Sequence, residues 1–135
     1  MRIHTTLLIA FVGFALAGTN ETAWAHHALV SQFSLDKPIT LRGTVTKLAW
    51  LNPHGRISVD VKNAEGAVEN WTVETGATGR MIRRGLKKSD FAVGVEVIIA
   101  GYAARDGKLS VAGMSVTFPD RETAPDREAS FSLGR

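Results

Sequence analysis

A chain of 135 residues, 44% of them hydrophobic and 21% charged, is sized for one small domain around its own apolar core. Its formal charge of +3 is too weak and too interspersed to argue for nucleic acid. With no cysteine the fold cannot staple itself with disulfides, and nucleophilic catalysis by a thiol is excluded.

Residues 1–25 read as an export signal: Arg2 gives a basic start, Leu7 to Gly18 an uncharged apolar run, and Ala23-Trp24-Ala25 a small-x-small cleavage site. The run is about 12 residues, against the roughly 20 that a bilayer-crossing helix needs. The expectation is therefore a cleaved leader, a periplasmic product with no stable membrane anchor, and a mature chain beginning at His26.

From Thr40 onward apolar residues recur with a period of two, the pattern of half-buried strands. Leu41, Gly43 and Val45 share one phase, which then slips so that Leu48 and Trp50 carry the inward face. A slip inside one long strand predicts a bulge near Thr46-Lys47. Ile57, Val59 and Val61 predict a second strand ending at the turn Asn63-Ala64-Glu65-Gly66, and Trp71, Val73 and Thr75 a third. Between Gly76 and Phe91 the spacing of Met81, Ile82, Leu86 and Phe91 predicts one or two short helical turns interrupted at Gly85. Val95, Val97 and Ile99 begin a fourth strand running to about Ala103. Asp106-Gly107 marks a hairpin, and Leu109 to Phe118 forms a fifth strand with a phase change near Gly113.

Three meandering strands, a helical connector and a closing hairpin make a mainly β domain over 26–118, either a small five-stranded OB-like barrel or an open sandwich. After Pro119 periodicity ends. PDRETA is followed by PDREAS, a polar repeat that buries too little surface to offset its ordering entropy, so 119–135 are expected to be a disordered tail.

Three histidines follow the leader: His26, His27 and His54. Cleavage after Ala25 gives His26 a free amine beside its own imidazole, and the two can close a chelate ring on a metal. A further imidazole from His54 or His27 completes three nitrogens, a donor set suited to Cu(II), with Zn(II) the alternative. The plainer alternative is a solvated leader remnant and a polar loop histidine. In Trp50-Leu51-Asn52-Pro53-His54-Gly55-Arg56 the Asn-Pro and His-Gly pairs are turn chemistry between the first two strands, which puts His54 on a loop rim. There Asn52 serves the turn backbone or the ligand.

Trp50 and Trp71 are inward-phase residues that pack in the core or form a stacking platform. Tyr102, out of phase with Val97 and Ile99, is expected at the surface near the hairpin. Arg80, Arg83, Arg84, Lys87 and Lys88 form either the solvated side of a short helix or a grip for phosphates, an anionic lipid surface or an acidic partner. No pocketed acid and base can be named, and no Ser/His/Asp spacing or phosphate loop stands out.

The order HH-x5-F-x2-D-K-P-I-T-L-x-G-T-V-T-K-x-x-W-x-N-P-H from His26 to His54 resembles an uncharacterised family of exported Gram-negative proteins. The likeness continues through Asn70-Trp71, Arg83-Arg84-Gly85 and G-Y-x-A-x-D-G at 101–107. It implies a periplasmic setting and an OB-like barrel, and it brings no reaction or ligand. Two functions stay in view. One is a periplasmic copper-carrying or copper-buffering protein using His26, His27 and His54; the other is a non-catalytic binding module that recognises a periplasmic protein or an oligosaccharide through the face around Trp50 and Trp71.

Overall fold

A computed structural model describes residues 31–119. The leader expected at 1–25, the histidines at 26 and 27, and the tail beyond Pro119 lie outside the described residues.

The described residues form a mainly β domain of five strands: β1 (Phe33–Ala49), β2 (Arg56–Lys62), β3 (Val68–Glu74), β4 (Glu96–Ala104) and β5 (Ser110–Thr117). Between β3 and β4 lie a one-and-a-half-turn helix, α1 (Thr78–Arg83), and a 3-10 turn (Lys88–Phe91). The strands hydrogen-bond in the order β1-β2-β3-β5-β4, and β4 returns to β1, so the sheet closes on itself as a barrel. All pairs are antiparallel except β3 with β5, which run parallel over three residues each.

Closure depends on β1 serving two neighbours. Its first half pairs with β4 and its second with β2; Gly43 and Thr44, in the overlap, have partners on both sides. A strand can turn from one neighbour to the other only by bending, and the register slips by one residue at Thr46. Thr46 Oγ1 then donates to the Ser58 carbonyl and accepts from Asn70 Nδ2, so the extra residue is held by side-chain bonds. Past Val45 the β4 side of β1 is taken over by the turn ahead of β4, with Val45 N–H bonded to Val95 O and Gly94 N–H to Val45 O.

One face of each strand fills the barrel. Val45, Ile57, Val59, Val73, Val97, Ile99, Val111 and Val116 have no more than trace exposure, and this β-branched set suits the pleated wall. The connector closes one end: Met81, Leu86 and Phe91 are buried, and the Phe91 ring lies 6.2 Å from Trp50 and 5.5 Å from Phe118, centroid to centroid. Asp90 turns inward to accept the Lys87 N–H, so the buried carboxylate organises the 3-10 turn. At the other corner the hairpin turns at Gly107, with φ +77. Hydrogen bonds from Lys108 hold the Asp106 carboxyl below its ordinary range.

Two features of the wall differ from the sequence reading. β1 starts seven residues before Thr40, because Phe33 is buried against Ala112 on the outside of the barrel, and Arg105 donates from N–H and Nε to the carbonyls of Gln32 and Phe33. Tyr102 is half-buried in that same outer cluster instead of lying open at the surface. An apolar patch on the outer wall has no period-two partner to betray it, and Asp36 and Pro38 argue against a strand there.

At Gly43 and Gly101 the neighbouring strand's carbonyl, Asp60 O and Ala112 O respectively, occupies the space of a Cβ. Gly101→Ala is expected to lower unfolding stability by about 2 kcal/mol or more, as overpacking against backbone does. Gly79→Ala, whose methyl would meet only the Arg83 guanidinium at 3.6 Å, is expected to gain up to about 1 kcal/mol from helix propensity. Urea titration of the two variants checks both signs.

Candidate functional site

The loop from Trp50 to Gly55 leaves β1 at the connector end of the barrel. Trp50 anchors it by packing on Phe91, and the Asn52-Pro53 peptide is cis. Asn52 does not bond its own turn. Its Oδ1 accepts from Thr78 Oγ1 at 2.8 Å and from Thr78 N–H at 3.3 Å, which ties the loop to the first residue of α1. The turn chemistry of Asn-Pro was legible, but a partner 26 residues away was not.

Gly55 brings the loop against the end of β3. Its carbonyl accepts the Thr75 N–H at 3.0 Å, and a Cβ there would lie 2.7 Å from Thr75 Oγ1, so only glycine permits the approach. That contact sets the imidazole of His54. Its Nδ1 lies 3.2 Å from Thr75 O. A carbonyl can only accept, so Nδ1 carries the proton, and in the neutral ring Nε2 keeps its lone pair on the opposite side. His54 is exposed, and it is the one histidine among the described residues. An imidazole with one nitrogen bonded to a backbone carbonyl and the other offered to solvent has the orientation typical of a metal ligand.

Among the described residues no group of three or more His, Asp or Glu side chains is placed to hold a metal ion. The other two predicted donors, His26 and His27, lie outside the described residues. What the fold does describe is where the chain leading to them begins. Phe33 rests against Ala112 on the outer wall; Ala112 pairs with Glu74, and the next residue is Thr75, the partner of His54.

The aromatic candidates are engaged. Trp50 and Trp71 are half-buried and packed against the core, and Trp71 Nε1 donates to Glu69 Oε2 at 3.1 Å. The shallow grooves over the described residues include two on the outer surface. One lies over β1 and β2 between Arg42, Thr46, Asp60 and Lys62; the other lies beside the hairpin between Gln32, Arg105 and Lys108. In the first, Asn70 Nδ2 bridges Asp60 and Thr46, and Arg42 pairs with Glu96. Sequence periodicity marks these residues only as outward-facing.

Replacing Asn52 by Ala removes both bonds to Thr78 and is expected to cost about 1–2 kcal/mol. With the ring neutral, a nitrogen-detected NMR spectrum is expected to show His54 protonated at Nδ1 and bare at Nε2; the reverse tautomer removes the Thr75 bond as its orienting contact.

No curated protein and no solved structure matches the chain. The model of one family of unknown function, DUF6152, matches residues 15–114, and since this is most of the sequence, running from the expected leader to within β5, the chain belongs to that family.

Proposed function

We propose that this is an exported, periplasmic metal-binding protein of OB-like architecture that carries or buffers Cu(II). His26 supplies its amine and imidazole, His54 supplies Nε2, and His27 is the alternative third donor; Zn(II) is the competing ion. The observation that carries the reading is the His54 Nδ1–H bond to Thr75 O, which presents Nε2 outward from a loop held at both ends.

Chain length supports it. Ser31 and Gln32 are helical, and from Ser31 back to His26 is five residues, a reach of about 17 Å when extended. From Phe33 round the wall to β3 is three strand spacings, roughly 15 Å, a span of the same size as that reach. The OB-like assignment draws on the strand order, the long bent β1 shared by two neighbours, the parallel β3 and β5 pair and the connector at the barrel end. Loops between the first two strands are where such barrels commonly place ligands. Export draws on the apolar run 7–18 and the Ala23-Trp24-Ala25 triplet.

Purified protein whose mass places its first residue at His26 is expected to bind Cu(II) at about one equivalent by native mass spectrometry and calorimetry. One extra residue ahead of His26 is expected to weaken binding about a hundredfold by removing the amine from the chelate, and His54→Ala about tenfold or more. Unchanged affinity in the extended protein defeats the chelate, and unchanged affinity in His54→Ala removes the loop from the site.

A further inference from the structure

Between residues 31 and 119 there are twelve Lys and Arg and eight Asp and Glu, a formal net charge of +4. Five of the cations, Arg80, Arg83, Arg84, Lys87 and Lys88, fall within nine residues that contain no acid. The rest of the described domain is therefore −1, and its basic character belongs to one place.

That place is the connector end of the barrel. Arg83, Arg84, Lys87 and Lys88 are exposed, while the connector's apolar residues Met81, Leu86 and Phe91 face the core. Asp90, the next acid along the chain, is buried and accepts the Lys87 N–H. Beside the cations the same end exposes large aliphatic side chains: Ile82 at 57% on α1 and Val93 at 73% after the 3-10 turn, with Leu51 at 56% on the loop that Asn52 ties to α1. Neither of the two surface grooves described above is lined by these residues.

We propose that the connector end is a docking surface for an anionic lipid bilayer, with Arg83, Lys87 and Lys88 at the headgroups and Ile82 and Val93 at the acyl boundary. A cluster of cations with aliphatic side chains among them matches the charge and depth profile of a lipid interface. Each cation near such a surface adds an increment that salt screens, so docking is reversible and strongly dependent on ionic strength. The proposal is independent of the metal reading, since none of these side chains is among the proposed donors.

The test is vesicle sedimentation with the soluble protein recovered from expressing cells, every variant carrying the same N-terminus by mass. Vesicles of phosphatidylcholine with about one third phosphatidylglycerol are expected to bind it at least about tenfold more strongly than phosphatidylcholine alone, with binding lost near 0.5 M salt. Arg83→Glu with Lys88→Glu is expected to abolish most of that difference. Lys37→Glu with Lys62→Glu, the same charge change on the barrel wall, is expected to leave it within about twofold. Ile82→Ser is expected to weaken binding severalfold at unchanged charge, and a circular dichroism melt confirms that each variant is folded. Equal binding to both vesicle types, or equal loss in the two charge-reversed pairs, overturns the proposal. So does retention on soluble polyglutamate without sedimentation on vesicles, which would assign the face to an acidic protein.

Discussion

The structure rests on the double service of β1. A five-stranded sheet closes only if one strand can hydrogen-bond on both edges along different parts of its length, and β1 does so by pairing first with β4 and then with β2. Two local conditions make this possible. The extra residue at Thr46 bends the strand, and the absence of a side chain at Gly43 lets the Asp60 carbonyl come over the strand where both neighbours are engaged. Every other strand is placed by this one, and so is the loop that follows it.

From that placement the local chemistry of the loop follows. Trp50, the last inward residue of the β1 phase, packs on Phe91, so the chain leaves the barrel at the end that the connector covers. Asn52 and Gly55 then find partners at the start of α1 and the end of β3, and the imidazole of His54 is oriented by a carbonyl that belongs to neither its own strand nor its own turn. Backbone proximity set by closure, more than any motif, decides which ring nitrogen is offered outward. The same end carries the clustered cations, so the chain concentrates its outward-facing chemistry on one side of the barrel.

Much of the wall was legible because period two is a direct imprint of half-burial. Ile57, Val59, Val73, Val97 and Ile99 announce their strands, the phase slip after Val45 announces the bulge at Thr46, and the change near Gly113 corresponds to a register shift opposite Ala100 and Gly101. What stayed hidden depends on tertiary neighbours. Phe33 and Tyr102 pack on the outer wall, where alternation predicts solvent. The parallel pairing of β3 with β5 joins segments 38 residues apart, and nothing in either segment names the other. Of the candidate site, the rim position of His54 could be read from turn residues, whereas its bond to Thr75 and the tether from Asn52 to Thr78 could not, since both partners lie beyond an intervening hairpin.

The β3 and β5 seam has only three register pairs, against six or more in each of the other four joints of the ring. With the fewest rungs to break, it is the joint at which partial opening needs the least free energy, and the amides of Thr72 to Glu74 sit on it. Thr75, one residue past the last rung, holds the imidazole of His54. Yet Thr75 O and His54 lie on the β2 side of this seam, joined by the Thr75 N–H bond to Gly55 O and by the seven register pairs of β2 with β3, so a transient parting of β3 from β5 carries the imidazole and its carbonyl away together.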